Sequence, residues 1–334
     1  MLARLGFVAS VLTENLSTSR TCRLRNASEA RLRKLTAENL ATLGQVLTFL
    51  ERRQIRLYRI TSNLVPFASH AVNALPWWDE FSATFRRLGD RMRALGIRVS
   101  THPGQYTVLN SPHPSIVQAA AAELVYHARL LDALGTDSSC KIVVHVGGLY
   151  GGSEAEGLER FSTAVRALPD AVRRRLVVEN DDRLFDADEV LQVSRATGIP
   201  VVFDWLHHQA NPCRRPIEVV LREIYATWGA ADGRPKVHLS SPARGAPVRT
   251  HADYVRAADL LAFMKVAPHA PFDCMLEAKQ KDRALLRLRQ QLERIGVREC
   301  DRVCGRGSGR RSNERSGGRL RGEGQTNDEL TPFS

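Results

Sequence analysis

The chain lacks any apolar segment near the roughly 18 to 20 residues that a membrane-spanning helix needs. Its apolar opening, Leu5 to Leu12, is short, and no small-residue cleavage pattern follows it, so we expect neither a membrane span nor a signal peptide. The six cysteines are scattered and include no C-x-x-C pair, which excludes a zinc ribbon and a dense disulfide framework. These absences favour a protein of the reducing cytoplasm.

The composition indicates a globular protein with a basic surface. Of the 334 residues, 43% are hydrophobic and 25% charged, which excludes a mainly disordered or fibrous chain. Lysine and arginine number 48 against 36 acidic residues, a net charge of +12. This balance favours a polyanionic partner such as nucleic acid, although an arginine-rich surface that is merely solvated fits the charge equally well.

Short β-branched segments alternate with helical segments along most of the chain. Eight repeats of strand and helix predict an α/β fold, a (β/α)8 TIM barrel, as a single domain over residues 1–296. The Arg- and Gly-rich segment 297–334 has almost no apolar residues, so we expect a disordered tail, either inert or in contact with DNA through its arginines. The predicted strands are Arg4–Val8, Arg56–Ile60, Ile97–Ser100, Lys141–Val146, Arg175–Val178, Pro200–Phe203, Lys236–Leu239 and Phe272–Leu276. The helices predicted between them include Trp78–Leu95 and His251–Met264.

Histidines and carboxylates recur where these strands end. The carboxyl ends of barrel strands carry the active site, so these side chains are expected to converge. Histidine nitrogens with carboxylate oxygens suit Mn, Zn or Fe(II), and carboxylates can bridge two ions, so we predict a metal cluster. A single such histidine is more often an ordinary core or surface residue, but chance does not readily place a whole set this way. The candidate ligands are His70, His102, His145, Glu179, Asp204, His207, His238, His251 and Glu277.

Several longer motifs in these segments carry a family resemblance. They include HPGQYTVLNSP from His102, HVGGLYG from His145, VVFDWLHHQAN from Val201 and MLEAKQKDRALLRL from Met275. The chain resembles the UV damage endonucleases, metal-dependent barrel nucleases related in fold to endonuclease IV and to xylose isomerase-like barrels. The matching motifs follow the chain in order and span nearly everything except the tail.

The resemblance implies a hydrolase that nicks damaged double-stranded DNA immediately 5′ of UV photoproducts and other distorting lesions, leaving 3′-hydroxyl and 5′-phosphate ends. It makes the nine candidates above the ligands of two or three divalent ions, with manganese expected. The resemblance also implies catalytic roles for Glu179, Glu277, Lys236 and His238. Lys236 matches a position where a lysine can be carboxylated, and a plain lysine that neutralises phosphate is the alternative.

The resemblance also implies contacts with DNA. The pair Gln105 and Tyr106 matches residues that enter the duplex at the lesion, whereas the alternative is that they cap the barrel mouth. Phe7 stands where relatives tend to carry a tyrosine that approaches the damaged strand, so ring packing or stacking is expected without the hydroxyl. The segment 151–154 lacks the lysine that usually follows the HVGG-x-YG motif, which weakens the expected grip on phosphate there.

Two other functions compete with this interpretation. A sugar isomerase-like barrel would use a similar metal site, but a small neutral substrate does not need a protein with a charge of +12. A DNA-binding module without catalysis would not need a full set of metal ligands. We therefore expect a monomeric DNA repair enzyme of a bacterial-type cytosol, associated with the nucleoid during repair and not with a membrane.

Overall fold

Eight parallel strands form a closed barrel in the computed structural model, which describes residues 1–303. Every strand pairs in parallel with the next one along the chain, and β1 also pairs with β8, so the barrel has no free edge. All eight predicted strands are present with limits that differ by a few residues at most, and the TIM barrel is confirmed. The strands are β1 Leu2–Val8, β2 Leu57–Arg59, β3 Arg98–Thr101, β4 Lys141–His145, β5 Leu176–Glu179, β6 Val201–Asp204, β7 Lys236–Leu239 and β8 Phe272–Leu276.

Helices follow the strands and surround the barrel. In the described part of the chain they are α1 Glu29–Arg52, α2 Trp77–Glu80, α3 Ser82–Ala94, α4 Pro114–Ala133, α5 Glu154–Ala167, α6 Asp170–Arg173, α7 Ala187–Thr197, α8 Trp205–Ala210, α9 Ile217–Ala226, α10 Ala257–Val266, α11 Lys281–Arg294 and α12 Cys300–Val303. None of them is long and apolar enough to cross a membrane.

Two of the helices predicted from the sequence have other limits. The segment predicted as one helix from Trp78 to Leu95 is two helices, because Phe81 has φ −101° and ψ 17° and interrupts the helical backbone. The helix predicted from His251 begins only at Ala257, because His251 pairs with Pro242 in an isolated β-bridge. His251 thus belongs to the loop between β7 and α10.

The barrel interior shows how strand periodicity positions the site. Val143, Val177 and Val202 lie on β4, β5 and β6 and pack together in one buried cluster. Side chains two positions further along a strand point to the same face. The residues at those positions are His145, Glu179 and Asp204. The ligands predicted at these strand ends therefore face the barrel axis.

Residues just beyond the predicted domain limit at 296 contact the base of the barrel. The carboxylate of Glu299 accepts hydrogen bonds from the Leu5 backbone amide at 2.7 Å and from Arg289 Nε at 2.5 Å. Asp301 accepts one from Arg4 Nε at 2.6 Å. The barrel unit thus continues at least to Asp301. The rest of the predicted tail, 304–334, lies outside the described residues.

Candidate metal centre

Glu179 is the centre of the site. Its side chain ends β5, is 1% exposed and lies within 4 Å of four histidine rings. The distances from its carboxylate oxygens are 2.5 Å to His238 Nδ1, 3.3 Å to His102 Nε2, 3.4 Å to His145 Nε2 and 3.9 Å to His207 Nδ1. One buried carboxylate therefore connects side chains from β4, β7 and α8 and from the residue that follows β3.

The side chains around Glu179 form three overlapping groups, each of which could hold a metal ion. Within each group the candidate ligand atoms lie within 4.8 Å of one another, and Glu179 belongs to all three. Two carboxylate oxygens here, Glu179 Oε2 and Asp204 Oδ2, are buried without a hydrogen bond. Buried polar atoms normally have partners, so these oxygens and the mixed N and O donor set fit divalent cations. The groups are His102, His145 and Glu179; Glu179, His238 and Glu277; and Glu179, Asp204 and His207.

Burial and mutual charge set the protonation of the cluster. Burial alone would raise the pKa of Glu179, but His238 and His145 hold it well below the ordinary value. Burial lowers the pKa of His145. Burial also opposes the charged form of His207, yet Asp204 and Glu179 raise its pKa to about 9. The centre is thus an ionised carboxylate among histidines of different basicity.

Arg59 is a residue of the site that the sequence analysis did not identify. It is buried on β2, where Nη1 donates to Glu277 Oε1 at 2.5 Å and Nη2 donates to His238 Nε2 at 2.7 Å. Burial by itself would raise the pKa of Glu277, but Arg59 and His238 lower it below the ordinary value. The one sequence signal was a charged residue inside a short strand-like segment that is otherwise buried.

His251 and His70 stand apart from the three groups. The His251 ring centroid is 6.3 Å from that of His207, and its Nδ1 donates to the Glu277 carbonyl oxygen at 2.7 Å. His251 therefore borders the centre. His70 is exposed, and its Nδ1 accepts a hydrogen bond from the Val72 amide at 3.0 Å. Ligand roles for His70 and His251 stay predictions.

Lys236 lies at the start of β7 and is fully buried. Its Nζ has no hydrogen bond, and burial, helped by the nearby guanidinium of Arg98, lowers its pKa well below the ordinary value. A buried amine of this kind favours the neutral form, which is the form that carboxylation requires. Carboxylation of Lys236, and its catalytic role, stay predictions.

The structure corrects the interpretation of Phe7 as a DNA contact. Phe7 is fully buried, and its ring packs edge-on against Phe49 at 6.2 Å and Tyr58 at 5.4 Å between ring centroids. Alternate side chains of a strand point to opposite faces, and Phe7 points towards helix α1 and away from the barrel axis. Phe7 is a core residue.

Gln105 and Tyr106 occur in the loop between β3 and α4 and are both exposed, Tyr106 to 84%. The base of this loop is held to the next one, because Asn110 Nδ2 donates to the Gly148 carbonyl at 2.8 Å and Arg160 Nε donates to the Asn110 carbonyl at 2.8 Å. The pair is therefore presented to solvent from a fixed base.

Comparisons with known proteins find a matching family model and related structures. The model of the family described as UV-endonuclease UvdE matches residues 3–307. A UV DNA damage endonuclease from Bacillus cereus is 36% identical over 269 residues, which are 80% of this chain and 84% of that protein. The crystal structure of SacUVDE superposes with a TM-score of 0.82 at 33% identity, covering 89% of this chain and 100% of the other. Endonuclease IV from Thermus thermophilus shares the fold, with a TM-score of 0.54 at 18% identity over 87% of this chain and 99% of its own.

Proposed function

Because the chain belongs to the UV-endonuclease UvdE family, we propose that it is a metal-dependent repair endonuclease that nicks duplex DNA immediately 5′ of UV photoproducts and other distorting lesions. The observation that carries this proposal is the buried Glu179 carboxylate shared by three groups of metal-binding side chains. A monomer acting on DNA in a bacterial-type cytosol is part of the proposal.

Two or three divalent ions, manganese by preference, would be held by the three groups around Glu179. Bound there, such ions lower the pKa of water and neutralise the oxygens of a phosphodiester. In the hydrolysis a water oxygen bonds to phosphorus and the bond from phosphorus to the 3′-oxygen breaks, which leaves a 3′-hydroxyl and a 5′-phosphate. No covalent bond to the enzyme is needed.

The protein's own residues orient this chemistry. Glu179 and Arg59 contact the two ring nitrogens of His238 at 2.5 and 2.7 Å, so they fix the ring plane, and an ion bound by His238 would replace one of these two contacts. Arg59 also pairs with Glu277, so this carboxylate keeps one orientation and its charge. Groups that are oriented before the reaction stabilise its transition state at no cost in reorganisation.

Lesion recognition is assigned to Gln105 and Tyr106, which would enter the duplex at the damaged step. Opening a base step costs a few kcal/mol and least at a damaged step, so an inserted pair selects lesions by how readily they open. The high exposure of Tyr106 supports this role over the alternative that it caps the barrel mouth.

A nicking assay on UV-irradiated plasmid, with manganese and with chelator, tests the proposed function. We expect manganese-dependent nicks in irradiated DNA and few in unirradiated DNA, and end analysis should find 3′-hydroxyl and 5′-phosphate termini. A sugar isomerisation assay run in parallel tests the alternative barrel enzyme. Isomerisation without nicking would overturn the proposal, and tight DNA binding without either activity would indicate a binding module.

The recognition pair is tested with the double variant Gln105→Ala, Tyr106→Ala. This variant should keep its metal content and melting temperature, because both side chains are exposed. It should lose most of its nicking of UV-damaged duplex. Nicking at the parent rate would refute the assignment of the pair to the lesion.

A further inference from the structure

Three neighbouring loops at the catalytic end of the barrel carry no lysine, arginine, aspartate or glutamate. They are the loops that follow β2, β3 and β4, residues 60–76, 102–113 and 146–153, and together we call them the uncharged arc. A quarter of the whole chain is charged, so their composition is far from the average. Their exposed large side chains include Tyr106 and Tyr150, which are 84% and 46% exposed.

The other five loops at the same end are residues 9–28, 180–186, 205–216, 240–256 and 277–280, and we call them the cationic arc. Taken together they contain both acidic and basic residues, and several of the cations make no ion pair within the part of the chain that the structure describes. The acidic residues include Glu277 of the metal centre and Asp182, which lies 3.8 Å from Arg249 and 3.9 Å from Arg183. The exposed cations without an ion pair are Arg23, Arg25, Arg214, Arg244 and Lys279.

Each arc is continuous because the strands are ordered around the barrel as they are in the sequence. Within the uncharged arc, Ser62 Oγ donates to the His102 carbonyl at 2.7 Å, and Asn110 joins the second and third loops. Within the cationic arc, Arg249 of the loop after β7 lies 3.8 Å from Asp182 of the loop after β5, although the loop after β6 comes between these two in the strand order. The metal centre lies between the arcs, since His102 and His145 come from one side and Asp204 and Glu277 from the other.

From this division we infer that a DNA duplex lies across the barrel mouth in one orientation, with its phosphates on the cationic arc and its opened bases on the uncharged arc. The inference rests on the proposed function and adds the direction in which the substrate is held. Phosphate contacts need cations, whereas the faces of bases need aromatic or neutral surface. A lysine or arginine on the uncharged arc would compete with the cationic arc for the DNA phosphates, and the uncharged arc has neither.

The test is the salt dependence of binding to a UV-damaged duplex. A protein that neutralises phosphates releases counterions, and the logarithm of its affinity falls with the logarithm of salt concentration by about 0.9 for each phosphate contact. The variant Arg214→Ala, Arg244→Ala should flatten this slope by about 0.9 for each phosphate that is no longer neutralised. The variant Tyr150→Ala should weaken binding and leave the slope unchanged, because it removes no charge.

A matched control is Arg53→Ala, Arg298→Ala. Both arginines are exposed, and they follow the C-terminal ends of α1 and α11, at the opposite end of the barrel. This control should keep the parent slope, and the melting temperatures of all variants should match. An equal change in slope for the control and the cationic-arc variant would mean that positive charge anywhere on the protein contributes equally to DNA binding, and the inference would be wrong.

Failure of the inference and failure of the proposed function give different results. If the parent protein does not nick UV-damaged DNA, the proposed function fails. If the parent nicks it but Arg214→Ala, Arg244→Ala keeps the parent slope, the function stands and the assignment of phosphates to the cationic arc fails.

Discussion

Replacing Glu179 with glutamine is the most direct test of the metal centre. The substitution keeps the shape of the side chain but removes its charge and turns one oxygen into an NH2 donor. That donor would face ring nitrogens of His102 and His145, which now lie 3.3 and 3.4 Å from a carboxylate oxygen. All three candidate metal groups would lose the ligand that they share.

The loss in rate should be large and the loss in stability moderate. Each tenfold loss in rate corresponds to about 1.36 kcal/mol, and we expect a loss of at least about 1000-fold, or about 4 kcal/mol. The amide is buried and imperfectly paired, which costs about 1–3 kcal/mol, and the favourable interactions with His238 and His145 that lower the pKa of Glu179 are lost with the charge. The melting temperature should therefore fall by several degrees while the protein stays folded.

Three measurements on one preparation separate these effects: nicking of UV-irradiated plasmid, metal content and affinity for damaged duplex. We expect nicking to be lost, metal content to fall and much of the DNA affinity to remain, because the basic surface is unchanged. Glu159→Gln is the matched control, since Glu159 is exposed on α5. Near-normal manganese-dependent nicking by Glu179→Gln would remove this residue from the mechanism.

Three further predictions concern residues outside the metal centre. Asn110→Ala should lower the free energy of unfolding by about 1–3 kcal/mol, because the Gly148 carbonyl loses its hydrogen-bond partner, and thermal melting checks this. The KM for damaged duplex should rise while the metal content stays constant. Burial, aided by Glu154, raises the pKa of Glu189 from 4.5 to about 7, so the stability of the fold falls as the pH rises through this window. Glu189→Gln should therefore raise the melting temperature more at pH 8 than at pH 5. Equal shifts of the melting temperature at both pH values would contradict this prediction. Deleting residues 305–334 should change the melting temperature little, since this segment has few apolar side chains to bury, and a large drop would show that it packs on the barrel.

The repeating pattern of strands and helices was sufficient to predict the barrel and to place together most of the candidate ligands that the structure brings close to Glu179. The reason is geometric: in a parallel barrel every strand ends at the same face, so His145, Glu179 and Asp204 could be placed together without knowing any contact between them. Strand order follows chain order in this fold, so the local periodicity of each segment was enough to predict which distant residues lie close together.

Tertiary structure alone decided the contacts that depend on which way a side chain points and on residues far apart in the chain. Arg59 meets Glu277 across 218 residues of sequence. Nothing local to either residue indicates this pair. Phe7 faces helix α1, whereas the residues on either side of it in β1 face the barrel axis. A short apolar segment does not show which of its alternate side chains face the axis, because a shift of one residue exchanges the two faces. Periodicity locates a strand end, but only the packing of helices and strands against it shows which side chains reach the centre.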